Sequence, residues 1–367
     1  MGLTAGIVGL PNVGKSTLFN AITKAGALAA NYPFATIDPN VGVVEVPDDR
    51  IDKLTEIAKP KKTIPTIFEF TDIAGIVKGA SKGEGLGNKF LSHIREVDAI
   101  VHVVRAFDDD NVTHVDGTVD PVRDIEILNL ELIFADLEVV DKRIPKILKK
   151  AQLKVDQDSV YEYKILSNIR ETLMNNQPIR TIKFVESELA FIKNFNFLTQ
   201  KTMLYVANIS EDEISDFSNN EYVKKIKEFA TKDNSEVVVI SAKIEAELGE
   251  LDDDEKEMFL EDLGIVESGL NKLIKRSYKL LGLETYFTAG PDEVRAWTFR
   301  KGMKAPQCAG IIHSDFERGF IRAETIPYEE YVKYGGELGA REAGKSRSEG
   351  KEYIVKDGDV LLFRFNV

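Results

Sequence analysis

The sequence predicts an α/β protein: a mostly parallel sheet flanked by helices, a helical hairpin inserted into it, and a small β-grasp-like unit at the C-terminal end. Three observations predict this. Apolar runs alternate with helical stretches through the first 125 residues, the pattern of strands buried on both faces between crossover helices. A heptad seam interrupts the alternation after Val104. From Leu283 onward, short β-rich runs are separated by Gly and Pro turns.

Residues 4–10 form the first apolar run, and residues 41–46 (VGVVEV) and 66–71 (TIFEFT) read as strands. Residues 99–104, 203–207 and 237–240 read as buried strands. The interval from Val104 to Met203 is too long for one crossover. Within it Leu130, Ile133, Leu137, Val140, Ile144, Ile147 and Ala151 are spaced alternately three and four apart, with charges between them. Pro145 lies inside this seam and is expected to kink or restart the helix, because it lacks an N–H and clashes with the preceding turn. A second helix is expected over 161–174, a breaker at 175–178 and a third helix over 186–195. The expected domains are a nucleotide-binding unit of residues 1–125 and 200–282, a hairpin of 126–199 and a C-terminal unit of 283–367. In the last, 294–299, 319–323 and 360–365 read as strands and only 328–334 as a helix.

Composition narrows the function. Hydrophobic residues make up 43%, which excludes wholesale disorder. No run approaches the ~20 apolar residues that span a bilayer, and the first residues lack a basic segment followed by an apolar one, so neither a membrane nor a secretory leader is expected. One cysteine, Cys308, fits a reducing cytoplasm, and with four scattered histidines it argues against a structural zinc site. Lys+Arg 48 against Asp+Glu 61 gives −13, which argues against a coat of basic residues. Residues 245–262 are strongly acidic and read as a solvated loop.

The chemistry lies in short motifs. Gly9-Leu10-Pro11-Asn12-Val13-Gly14-Lys15-Ser16 matches G-x-x-x-x-G-K-[ST] between an apolar strand and a helical stretch. Its glycines let backbone N–H groups curl around phosphate oxygens, Lys15 neutralises β/γ charge, and Ser16 offers a hydroxyl to Mg²⁺. Asp72-Ile73-Ala74-Gly75 closes the TIFEFT strand, where a carboxylate can hold Mg²⁺ through water. Between them Thr36, in a loop, can complete the Mg²⁺ shell only when a γ-phosphate is bound. Glycines 75, 79, 83, 85 and 87 mark a stretch able to rearrange.

GLPNVGKST, NYPFATIDPN, DIAGIVKGASKGEGLGNKFL and the terminal DGDVLLFRFNV together resemble the YchF family of Obg-related P-loop NTPases over nearly the whole chain. The resemblance implies a Ras-like, OBG-type nucleotide domain, an inserted coiled coil and a C-terminal TGS domain. It implies that Asn12, Val13, Gly14, Lys15, Ser16 and Thr17 hold phosphates, and that Ser16 and Thr36 hold Mg²⁺. It also implies ATP hydrolysis with some tolerance of GTP, and association with the ribosome through the large subunit or the 70S particle.

Base recognition departs from ordinary GTPases. Where these carry Asn-Lys-x-Asp, this chain has Asn208-Ile209-Ser210-Glu211, so the packing lysine is gone and the guanine-reading carboxylate is one methylene longer. Ser241-Ala242-Lys243 matches the element beside the base. Asn208, Ile209, Glu211, Ser241 and Ala242 are therefore the expected base-side residues, with adenine preferred. Ile76 stands where a water-orienting glutamine is common, and the resemblance suggests His114 as the catalytic group beside Lys15; a merely solvated histidine is the alternative. Asn12 has two readings, a K⁺ ligand near the phosphates or a loop cap.

Lys142, Arg143, Lys146, Lys149, Lys150 and Lys154, with Arg295, Arg300, Lys301 and Lys304, offer positive charge to RNA, against the alternative of solvated faces. The reading is a cytoplasmic, Mg²⁺-dependent, switch-like ATPase that binds the ribosome or RNA. The alternatives are a GTP-preferring translational GTPase of the Obg type, a P-loop small-molecule kinase, and an RNA-binding protein whose nucleotide is structural.

Overall fold

A computed structural model describes residues 3–26, 40–74, 86–109 and 117–366. In chain order the elements begin with β1 (Thr4–Gly9), α1 (Lys15–Gly26), β2 (Val41–Glu45), α2 (Asp49–Ala58), β3 (Lys62–Ile64), β4 (Ile67–Asp72), α3 (Leu86–Glu96) and β5 (Ala99–Arg105). Then follow α4 (Pro121–Gln152), α5 (Gln157–Met174), α6 (Glu186–Ile192), β6 (Thr202–Asn208), α7 (Glu221–Lys232), β7 (Glu236–Ile240), α8 (Ala242–Leu248), α9 (Asp253–Asp262) and α10 (Gly269–Leu280). The chain forms two compact units, residues 1–43 with 69–273, and residues 44–68 with 274–367.

The first unit is built on a six-stranded sheet of order β2-β4-β1-β5-β6-β7. β1 pairs in parallel with β4 on one side and β5 on the other, and β5–β6 and β6–β7 are also parallel. Every residue of β5 is buried, as its uninterrupted AIVHVV run demands of a central parallel strand. From β1 the chain goes to β2 and β4 on one side and then crosses from β4 to β5 on the other, so a crevice opens beyond the C-terminal end of β1, where α/β sheets bind ligands.

The hairpin between β5 and β6 packs along five of the seven expected seam positions, Leu130 and Ala151 lying outside its apolar cluster. Ile133, Val140 and Ile147 of α4 pack with Ile165, Leu166, Ile169 and Leu173 of α5, and Leu137 and Ile144 lie against the same cluster. Arg143 bonds Glu162 and Arg170 bonds Asp141, so numbers rise along α4 as they fall along α5, and the pair is antiparallel. Pro145 does not restart the helix: α4 runs unbroken through it. Packing of Ile144 and Ile147 on either side holds the helical course against one missing backbone bond.

Buried polar groups fasten the hairpin's root. Asp136 of α4 accepts from the N–H of Leu198 at 2.9 Å and from the N–H and hydroxyl of Thr199 at 2.8 and 2.7 Å. Burial lifts its carboxyl above the ordinary range while these donors pull the other way. Asp233 accepts from Arg180 at 2.8 Å and from the Tyr205 hydroxyl at 2.6 Å. His102, beside them on β5, is held neutral, its pKa pushed down to about 3 by burial and then by Arg180.

The second unit adds β8 (Leu283–Ala289), β9 (Glu293–Arg300), α11 (Ala305–Ile312), α12 (Ser314–Arg318), β10 (Phe320–Pro327), α13 (Tyr328–Lys333), α14 (Glu337–Glu342), β11 (Arg347–Glu349) and β12 (Asp359–Phe365). Its mixed sheet runs β11-β10-β12-β8-β9-β3. Two cores flank that sheet, one with Tyr286, Phe299, Cys308 and Phe363, the other with Leu54, Phe287, Val294 and Val360.

Three further expectations differ from this architecture. Residues 44–68 are expected in the nucleotide unit, but β3 pairs with β9, and Ile51 and Leu54 of α2 pack on Phe287 and Val294. The C-terminal unit holds α11, α12 and α14 besides the expected helix. Pro306 and Gly310 disguise α11 as a turn, yet proline suits a first helical turn, and the Gln307 side chain accepts from the Lys304 N–H at 2.8 Å. Residues 245–262 are mostly helical rather than a loop, because Asp252 and Glu255 form a reciprocal cap and the acids crowd the favourable N-terminus of α9. Glu245 is buried and accepts from the Gly269 N–H at 2.8 Å.

Candidate functional site

The segment after β1 has the backbone of a phosphate cradle. Asn12 has φ 63° and Gly14 φ 92°, left-handed conformations that turn successive N–H groups toward one concavity. Gly14 is also required by space, since a Cβ there would meet the Asn208 side-chain amide. Val13 is buried, so its backbone is what it offers a ligand, while Asn12, Ser16 and Thr17 are exposed. Lys15 opens α1 at the positive end of its dipole.

Asp72 ends β4 next to β1, its N–H bonded to the Asn40 carbonyl at 2.8 Å. Its carboxylate pairs with the Lys15 ammonium. The sequence-predicted phosphate lysine and metal-side carboxylate are thus brought together. The exposed Ser16 hydroxyl and the Asp72 carboxylate are hard oxygen donors of the kind Mg²⁺ takes, so the residues fit that ion.

The residues expected beside the base are brought to the same strand ends. Asn208 is 4% exposed; its amide donates to the Val13 carbonyl at 2.9 Å, and its Oδ1 accepts from the Ala242 N–H at 2.9 Å. One side chain therefore pins the phosphate loop to the loop after β7. Ile209 is 2% exposed and donates its N–H to the Ile240 carbonyl at 2.8 Å. Its side chain is closed in by protein. Ser241 is buried, and its hydroxyl has no partner among the described residues. Glu211 opens a 3-10 turn, Glu211–Glu213, and pairs with Lys243 at 2.5 Å. Nothing in the sequence signals that pairing, since Lys243 stands there only as the end of a tripeptide.

Further side chains without a sequence signal hold the loop that follows β5. The buried Arg105 donates to the carbonyls of Phe107 and Asp109 at 3.0 and 3.2 Å, and Asn220 donates to the Ala106 carbonyl at 3.0 Å. Thr36, Gly75, Ile76, the glycines at 79, 83 and 85, and His114 lie outside the described residues.

The basic residues divide by environment. Lys142 pairs with Glu138 and Arg143 with Glu162, whereas Lys146, Lys149, Lys150 and Lys154 are exposed. In the second unit Arg295 stacks 3.9 Å from the Trp297 ring centroid, and Lys301 and Lys304 pair with Glu284 and Glu352. Among the described residues no helix is long and apolar enough to cross a membrane.

Comparison with known proteins adds to this geometry. A family model described as a 50S ribosome-binding GTPase matches residues 4–135, and the YchF-GTPase_C model, described as a protein of unknown function, matches 283–366. Ribosome-binding ATPase YchF of Bacillus subtilis (strain 168) is 68% identical over 367 residues, covering 100% of both chains. The protein of that name from Pasteurella multocida (strain Pm70) is 56% identical over the same 100% of each. Among solved structures, the YchF GTPase of Schizosaccharomyces pombe superposes with a TM-score of 0.89 at 42% identity, covering 99% of this chain and 97% of that one.

Proposed function

The chain belongs to the YchF family, and from that premise we propose that it is a Mg²⁺-dependent nucleoside-triphosphate hydrolase that prefers ATP to GTP and acts as a nucleotide switch on the ribosome. The observation that carries this reading is the meeting of Lys15 and Asp72 beside the Asn12–Gly14 backbone, at the open end of β1. Hydrolysis breaks the bond between the γ-phosphorus and its bridging oxygen and makes one to a water oxygen. Catalysis of that step is positioning and charge stabilisation.

In this reading the backbone N–H groups of residues 12–17 and the Lys15 ammonium hold the phosphates. Ser16, Thr36 and, through water, Asp72 hold Mg²⁺, which supplies charge neutralisation on the phosphate oxygens when bound. His114 is proposed to act on the attacking water, and Asn12 to hold K⁺ near the phosphates. Asn208 fixes the distance between phosphate loop and base loop. Adenine preference is supported by the loss of the guanine clamp at Ile209 and Glu211.

The ribosome half of the proposal, which places the protein in the cytoplasm, is supported by the exposed lysines of α4 and by the relatives' names. RNA phosphate is the chemistry those lysines suit. Reversal of Lys146, Lys149 and Lys150 to Glu is expected to release the protein from ribosomes in sedimentation. For every RNA phosphate that is no longer neutralised, the log–log salt slope should fall by about 0.7–0.9. Unchanged co-sedimentation would reduce these lysines to a solvated face.

A further inference from the structure

We propose that Lys243 sets base choice by holding both carboxylate oxygens of Glu211, which keeps that carboxylate from guanine. This rests on the reading of residues 208–211 as the base loop of an ATP site.

The pair is framed on both sides. Glu211 follows Ile209, whose N–H is bonded to the Ile240 carbonyl at 2.8 Å. Lys243 follows Ala242, whose N–H is bonded to Asn208 Oδ1 at 2.9 Å. These backbone ties bring together the first turn of α8 and the 3-10 turn of Glu211–Glu213, and the Lys243 ammonium lies 2.6 Å from Oε1 and 2.5 Å from Oε2 of Glu211. The hydrogen bond to Glu211 raises the lysine's pKa, so the ammonium stays charged at neutral pH.

Guanine presents two neighbouring donors, N1–H and the N2 amine, and two oxygens of one carboxylate answer them together. Here both oxygens already have an ammonium. Adenine presents an acceptor at N1, and an open carboxylate facing it would set two electron-rich groups against each other. Pairing with Lys243 neutralises that carboxylate. The same ion pair therefore occupies what guanine needs and weakens the repulsion of adenine N1. Both partners remain reachable, with Lys243 64% and Glu211 38% exposed, so the pair can open and its effect is moderate.

The test is competition of ATP and GTP against a fluorescent nucleotide at fixed Mg²⁺, for wild type, Lys243→Met, Lys243→Arg and Lys243→Met with Glu211→Ala. Lys243→Met should lower the ATP-to-GTP affinity ratio by about threefold or more. Lys243→Arg, which keeps a cation on Glu211, should stay within about twofold of wild type. The double variant should lose the GTP gain, because no carboxylate is left to read guanine. The proposal is overturned if wild type prefers ATP and Lys243→Met leaves the ratio unchanged, or if the double variant keeps the gain. A wild type that binds GTP as tightly as ATP overturns the ATP reading itself, a separate outcome visible before any variant is made.

Discussion

Lys15→Ala should abolish useful nucleotide binding, with affinity for ATP falling by roughly 30-fold to several thousandfold. Lys15 is the cation at the mouth of α1, with a side chain only 12% exposed. Its ammonium pairs with the Asp72 carboxylate. The alanine variant loses the attraction and also leaves Asp72 unneutralised beside an incoming polyanion. Both effects act in the same direction. Truncating one member of a partly buried charge pair costs ~2–5 kcal/mol in binding. Isothermal calorimetry measures this directly. The fold should survive, because the core of the first unit rests on β1, β5 and β6 rather than on this side chain. Binding within about threefold of wild type would overturn the phosphate-loop assignment.

The second large effect is expected far from the nucleotide, at Asp136. Its carboxylate is fully buried and satisfies two backbone N–H groups and a hydroxyl in the segment that leads from the hairpin into β6. Asp136→Ala strands those donors in a dry interior and opens a small void. Removing one partner from such a buried charged network costs about 3–5 kcal/mol, a large share of a domain's stability. Asp136→Asn keeps one acceptor but turns an amide N–H₂ toward a donor, and should cost about 1–3 kcal/mol. Urea unfolding should show the alanine variant less stable than the asparagine variant, and both less stable than wild type. Equal stability of Asp136→Ala and wild type would contradict the anchoring role.

Asp136 also shows where sequence reading stops. In the sequence it is only a charge between seam positions, and nothing local marks a carboxylate that will meet Leu198 and Thr199 some sixty positions later. The strands of the first sheet are legible because each is a short apolar run, and the hairpin because its seam repeats over α4. The phosphate loop is legible because its spacing and its place between strand and helix state the chemistry. Long-range pairings are not. β3 is a three-residue edge strand with too little pattern to declare its partner β9. α11 hides behind Pro306 and Gly310, and α9 behind its acids, because in both the composition masks the capping. At the site, the motif does not announce that Asn208 also ties two loops together, one amide N–H donating to the Val13 carbonyl and its oxygen accepting from the Ala242 N–H. Lys243 lies in plain view in its tripeptide, but only the fold brings it to Glu211.

Ile209 bears on how base preference should be tested. Its burial means that a lysine introduced there would enter a closed apolar position, and desolvation would confound any change in nucleotide affinity. The unmodified protein gives the cleaner answer. A Mg²⁺-dependent site that reads adenine is tested by a competition titration of wild type with ATP and GTP at equal Mg²⁺. ATP should displace a bound reporter nucleotide at lower concentration than GTP does. Displacement by GTP at equal or lower concentration would mean that Glu211 reaches guanine despite Lys243, and would overturn the adenine-reading site.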